Sequence, residues 1–158
     1  MVSTRCRRLL ATLVALVATV VVASPAMAAV GASYGPLTPS NPTGAACPGG
    51  TCMTTAATFA SNGTVSTNIT VSITLYRTAK AGATAASSSD YVVKTASATY
   101  ATVKGTSASK VLTATQKCPT VATVAYGYYT KATMTNGTAA GTVSQNSSLV
   151  QLKGCVTV

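Results

Sequence analysis

The chain has no histidine, no glutamate and no tryptophan, and its one acidic residue is Asp90. Proton transfer near neutral pH needs a group that titrates there, and histidine or a tuned carboxylate is the usual one. Their absence excludes a Ser-His-Asp triad, paired-carboxylate hydrolysis within one chain and a metal-assisted hydrolytic centre. The segment Ser107-Ala108-Ser109-Lys110 has an S-x-x-K spacing, but no helical pattern and none of the companion motifs surround it. No enzymatic activity, cofactor or bound metal is expected. Between about pH 5 and 9 the side-chain charge should stay nearly constant, because only the α-amino group titrates in that range.

Large apolar side chains are scarce after residue 28. There is one phenylalanine, Phe59, and leucines are few, so the high apolar fraction rests on alanine. At ~25 cal/mol per Å² buried, a core of Ala, Val and Thr stabilises weakly for its size, and cross-links would help it. Charge is scarce too. Charged residues make up 8% of the chain, against roughly 25% in an average domain, so Thr, Ser, Asn and Gln must carry solubility. The lysines are spaced singly with no basic run, a pattern that keeps sheet edges soluble but also offers a surface for anionic polymers. Aromatic and basic residues do not interleave as they do in nucleic-acid readers, so sequence-specific nucleic acid is not an expected partner.

Only one long apolar run exists, residues 9–23, preceded by Arg5, Arg7 and Arg8 and followed by Ser24-Pro25-Ala26-Met27-Ala28. A basic start, an apolar stretch and a small-x-small site arrive in the order of a cleavable export signal. The run is shorter than the ~20 residues of a membrane-spanning helix. The spacing predicts a helical signal peptide over 1–28, cleaved after Ala28, a secreted product and no membrane span in what remains. Cys6 leaves with the signal, and eight basic residues remain against Asp90, a net charge of about +7. The Ala- and Thr-rich composition suggests a bacterial source.

Four cysteines follow the signal: Cys47, Cys52, Cys118 and Cys155. An even number in an exported chain reads as two disulfides. Cys47–Cys52 closes around Pro48-Gly49-Gly50, residues that make a tight turn. Cys118–Cys155 is the favoured second pair. The spacings do not fit a zinc site.

Residues 29–50 carry four prolines and five glycines without periodicity, which predicts a flexible extended arm. Tyr34, Pro36, Leu37 and Pro39 are the residues such an arm would dock into a partner. Residues 51–158 look like strands. In 65–75, Val65, Ile69, Val71, Ile73 and Leu75 share one parity while Ser66, Asn68, Thr70, Ser72 and Thr74 take the other, the period of a strand with one buried face. Asn62-Gly63 and Asn136-Gly137 are hairpin signals, residues 78–90 read as a loop, and further strands are expected at 91–103, 110–117, 121–135 and 149–156. The fold class is all-β: a small disulfide-stabilised β-sandwich of immunoglobulin-like architecture, or a small barrel.

Tyr126-Gly127-Tyr128-Tyr129 holds three of the seven tyrosines. Strand alternation sends Tyr126 and Tyr128 to one face and Tyr129, with Lys131, to the other. One reading is that one side fills a core poor in Phe and Trp; the sharper one makes Tyr126, Tyr128, Tyr129 and Lys131 a tyrosine-based recognition surface. The function expected is a non-enzymatic protein-interaction module, an accessory or adaptor subunit of an extracellular assembly. A cationic antimicrobial or wall-polymer-binding protein is the alternative, and a structural coat or matrix protein a further one.

Overall fold

The computed structural model describes residues 34–118, 124–136, 141–154 and 156–157. The expected signal peptide, residues 1–28, and Cys155 lie outside them.

Ten strands follow one another among the described residues: β1 Leu37–Pro39, β2 Thr43–Cys47, β3 Gly50–Ser61, β4 Thr67–Ala81, β5 Tyr91–Thr102, β6 Ala108–Lys117, β7 Tyr126–Thr135, β8 Thr142–Asn146, β9 Val150–Lys153 and β10 Val156–Thr157. They form two antiparallel sheets. In the four-stranded sheet β3 is flanked by β6 on one edge and by β1 and β2, end to end, on the other. In the six-stranded sheet the order is β10-β9-β7-β4-β5, with β8 also on β7. The sheets do not close into a barrel, so the barrel alternative is set aside.

Alternation explains the strands. Met53, Thr55, Ala57 and Phe59 of β3 and Ile69, Val71, Ile73 and Leu75 of β4 are buried, and the residues between them are more exposed. These two apolar rows pack together in the core with Leu37, Ala132, Met134 and Val143, and Met53 and Leu75 join Tyr128 and Leu152 in an adjoining cluster. The Asn62-Gly63 hairpin is corrected here. β3 and β4 belong to different sheets, and residues 62–66 carry the chain from one to the other. The Asn-Gly pair still makes a turn, with Thr64 N donating to Asn62 Oδ1 at 3.1 Å and Gly63 at φ 69°, but it is an arch. A flat hairpin would lay both apolar rows side by side and leave them uncovered; facing sheets cover both. The Asn136 hairpin does form, with Thr135 opposite Thr142.

The flexible arm is also corrected. Residues 34–50 are folded onto β3: Leu37 pairs with Phe59 and is 1% exposed, and β2 pairs with β3 along its whole length. Proline is tolerated in β1 because that strand lies on a sheet edge. One apolar anchor, Leu37, sits at the right register to fill the core, and proline-rich backbone needs little further ordering to lie extended.

Cys47 and Cys52 form a disulfide across the β2–β3 turn, with Cα atoms 5.7 Å apart. Cys47 pairs with Gly50, so Pro48-Gly49 is a two-residue turn with Gly49 at φ 79°. Cys118 is disulfide-bonded as well; the expected partner, Cys155, is outside the described residues. Among the described residues no helix is long and apolar enough to cross a membrane.

One polar link crosses the interior. Thr55 on β3 and Thr130 on β7 are buried, and their hydroxyls hydrogen-bond. Thr130 Oγ1 donates to Ser40 O at 2.7 Å. The chain of hydroxyls ties the β1–β2 connection to both sheets and leaves neither threonine unsatisfied.

Candidate functional site

The outer face of the six-stranded sheet is a field of small hydroxyls. Thr70 bonds Thr99 at 3.1 Å, Ser72 bonds Ser97 at 2.9 Å, and Thr142 donates to Thr135 at 3.0 Å. These cross-strand pairs carry the solubility that charge does not. At one end of this face the pattern changes. Register sets Tyr76 of β4 opposite Tyr129 of β7, and Lys131 between Thr74 and Asn146. The tyrosine rings stack at 5.2 Å between centroids and 9° between planes, an arrangement worth about 0.5–1.5 kcal/mol beyond its burial. Beside them β5 carries a bulge: Leu75 pairs with Lys94 and Tyr76 with Val92, so Val93 is the extra residue.

The 82–90 loop folds back over the tyrosines. Its clamp is Asp90. Oδ1 accepts from Ala79 N at 3.1 Å and Oδ2 accepts from Ser87 N at 2.8 Å, and the carboxylate lies close enough to the Tyr129 hydroxyl to raise it. Gly82 N donates to Ala125 O at 3.1 Å, and Gln151 Nε2 donates to Ala83 O at 2.6 Å, pinning the other end. An open pocket of about 380 Å³ results, lined by Tyr76, Ser87, Ser88, Tyr129, Lys131 and Asn146, with Ala86 at its rim.

Burial raises the Tyr129 hydroxyl most, and the Asp90 charge and hydrogen bond add to it, taking it up to about 12. Tyr128 is raised too, by burial first, although the Arg77 charge and hydrogen bond pull it the other way. Both phenols are therefore neutral at physiological pH. The pocket offers aromatic rings, a lysine, an amide and hydroxyls.

The four residues expected to form one recognition surface are not brought together: strand alternation splits them, and Tyr126 and Tyr128 stay away from the pocket. Tyr129 and Lys131 line the pocket. Tyr128 is buried on the inner face with Met53, Leu75 and Leu152. Tyr126, half-buried on the same side, lies under the Arg77 guanidinium at 4.7 Å, which also sits 5.2 Å from Tyr91. That cation–π sandwich holds the start of β5 to β4 and β7. The proposed arm residues are not brought to this site. Leu37 is in the core, Pro39 pairs with Ala57, Pro36 is exposed, and Tyr34 accepts a 2.6 Å hydrogen bond from Asn136 Nδ2. Tyr76, Asp90 and Asn146 were not foreseen. For Tyr76 a signal existed: it is the one aromatic on the otherwise Ser- and Thr-bearing parity of β4.

No known protein family, curated relative or solved structure matches this chain.

Proposed function

We propose that the chain is exported, signal-cleaved and immunoglobulin-like in architecture, and works as a non-enzymatic protein-interaction module, an accessory or adaptor subunit of an extracellular assembly. The observation that carries this reading is the pocket on the outer sheet face. Tyr76, partly exposed and held in place by the buried Tyr129 stacked on it, gives rigid contact area at low entropy cost, and Lys131 and Asn146, both exposed, add a basic side chain and an amide. The near absence of titratable groups supports binding over catalysis, and the Cys47–Cys52 bridge suits an oxidising compartment.

A second reading is binding to an anionic wall polymer through charge. The net charge of about +7 after signal removal favours it. Affinity purification of the native protein from culture medium, with mass spectrometry of what accompanies it, separates the two. A discrete protein partner retained at 1 M salt supports the adaptor reading, because salt at that strength screens charges beyond ~3 Å. Recovery of acidic polymer alone, released by the same salt, overturns it in favour of the second.

A further inference from the structure

We infer that β5 and β6 together form a docking edge for an extended, acidic segment of a partner protein that adds as a strand. The inference rests on the adaptor reading only in taking the ligand to be a protein; the surface is separate from the Tyr76–Tyr129 pocket.

β5 ends the six-stranded sheet and pairs only with β4; β6 ends the four-stranded sheet and pairs only with β3, among the described residues. They are consecutive strands joined by residues 103–107, which close with a Val103–Thr106 bridge. The two edge strands therefore leave one turn and lie close to each other beside it. A strand edge presents unpaired N–H and C=O groups, and proteins blunt it with proline, short strands, bulges or lysines. Here β5 has 12 residues and β6 has 10, neither contains proline, the one bulge lies at Val93 near the start of β5, and the lysines bar a basic strand but not an acidic one. The apolar surface concentrates in the same place. Of the exposed large apolar side chains, Tyr91, Val92, Val103 and Val111 all lie on these strands or their turn.

Charge selects the occupant. Lys94 on β5, Lys104 in the turn, and Lys110 and Lys117 on β6 are all exposed. The chain's one acidic side chain, Asp90, is committed to Ala79, Ser87 and Tyr129, so no counter-charge is free to meet them. A second copy of the chain would set lysines against lysines, and like charges directly opposed across strands destabilise pairing. A strand that alternates acidic and apolar residues would answer the lysines, complete a backbone ladder and cover the valines. A folded acidic surface or an acidic polysaccharide would meet only the lysines.

The test uses the full secreted protein and three labelled ten-residue peptides: alternating Val and Glu, alternating Val and Lys, and a Val/Glu peptide with proline at alternate apolar positions. Fluorescence anisotropy reads affinity, and amide hydrogen exchange reads where binding protects. We expect the Val/Glu peptide to bind at least tenfold more tightly than either other peptide and to protect amides of β5 or β6. The Lys94→Glu/Lys110→Glu double variant, with unchanged circular dichroism, should lose tenfold or more. Equal binding of the proline peptide overturns the strand ladder, leaving charge alone. Protection confined to the Tyr129 face, no peptide binding, or a concentration-dependent dimer without peptide overturns the docking edge. Partner capture that survives in the double variant but fails in Lys131 variants leaves the adaptor reading standing while the edge fails.

Discussion

Replacing Asp90 with asparagine keeps the side chain's shape and removes the one carboxylate in the chain. The carboxylate accepts from two backbone donors, Ala79 N at 3.1 Å and Ser87 N at 2.8 Å, and also raises the Tyr129 hydroxyl beside it. Asparagine has one acceptor oxygen, so its amide N–H₂ must face a donor that Asp90 now accepts from. Hydrogen bonds to a charged group contribute ~1.5–3 kcal/mol each. Asparagine keeps one acceptor and Asp90 is half-buried, so the loss should be about that of one such bond, roughly 2–3 kcal/mol. For a domain of this size that lowers Tm by roughly 6–12 °C. The tyrosine signal is more specific. Burial is the largest cause of the rise in Tyr129, and the Asp90 charge and hydrogen bond follow. Asp90→Asn removes the second and third causes and leaves the first. The Tyr129 midpoint should therefore fall from about 12 but stay above the ordinary phenol value of about 10. Because the folded value is raised, the neutral phenol stabilises the fold. That contribution is complete below pH ~10 and is lost as pH climbs through the folded value. Ultraviolet phenolate titration checks it, with Tyr129→Phe marking which step belongs to that residue. An unmoved midpoint in Asp90→Asn, or a melting temperature equal to wild type, would refute the clamp.

Other expectations follow from the fold. Thr130→Val should cost about 1–3 kcal/mol by chemical denaturation, because it leaves Ser40 O and the buried Thr55 hydroxyl without their partner; no loss would remove the interior hydroxyl link. Leu37→Ala should cost ~2–5 kcal/mol, as for other fully buried leucines, whereas a free arm would register nothing. Cys47→Ser/Cys52→Ser should cost about 2 kcal/mol by the loop-entropy relation for so short a loop, and a loss twice as large would mean that the bridge holds β2 in place by more than loop closure.

Much of the fold was legible one strand at a time. The parity of Ile69, Val71, Ile73 and Leu75 fixed the buried face of β4, and Pro48-Gly49 between two cysteines announced their bridge. Which strand lies beside which was not legible at Asn62-Gly63. The dipeptide reports a local turn, while the sheet that β4 joins depends on two apolar rows, on β3 and β4, each needing cover. Residues 34–50 misled for a related reason. Proline and glycine forecast extended backbone correctly, but one leucine at the right register decides whether that backbone floats or pairs. The pocket was half visible. Tyr129 and Lys131 could be placed on an outer face by alternation, but Tyr76 and Asn146 come to them through pairings between β4, β7 and β8 that no local pattern encodes.

The central claim is that the face around Tyr76 and Tyr129 recognises a protein partner. Its most direct test is quantitative capture from native culture medium with three forms of the protein: wild type, Lys131→Glu/Asn146→Ala, and Lys153→Glu as a control of equal charge change at an exposed site away from the pocket lining. The account predicts that the partner recovered with wild type falls at least tenfold with the pocket variant and is retained with Lys153→Glu. Equal recovery with all three forms, or equal loss in both variants, would contradict it.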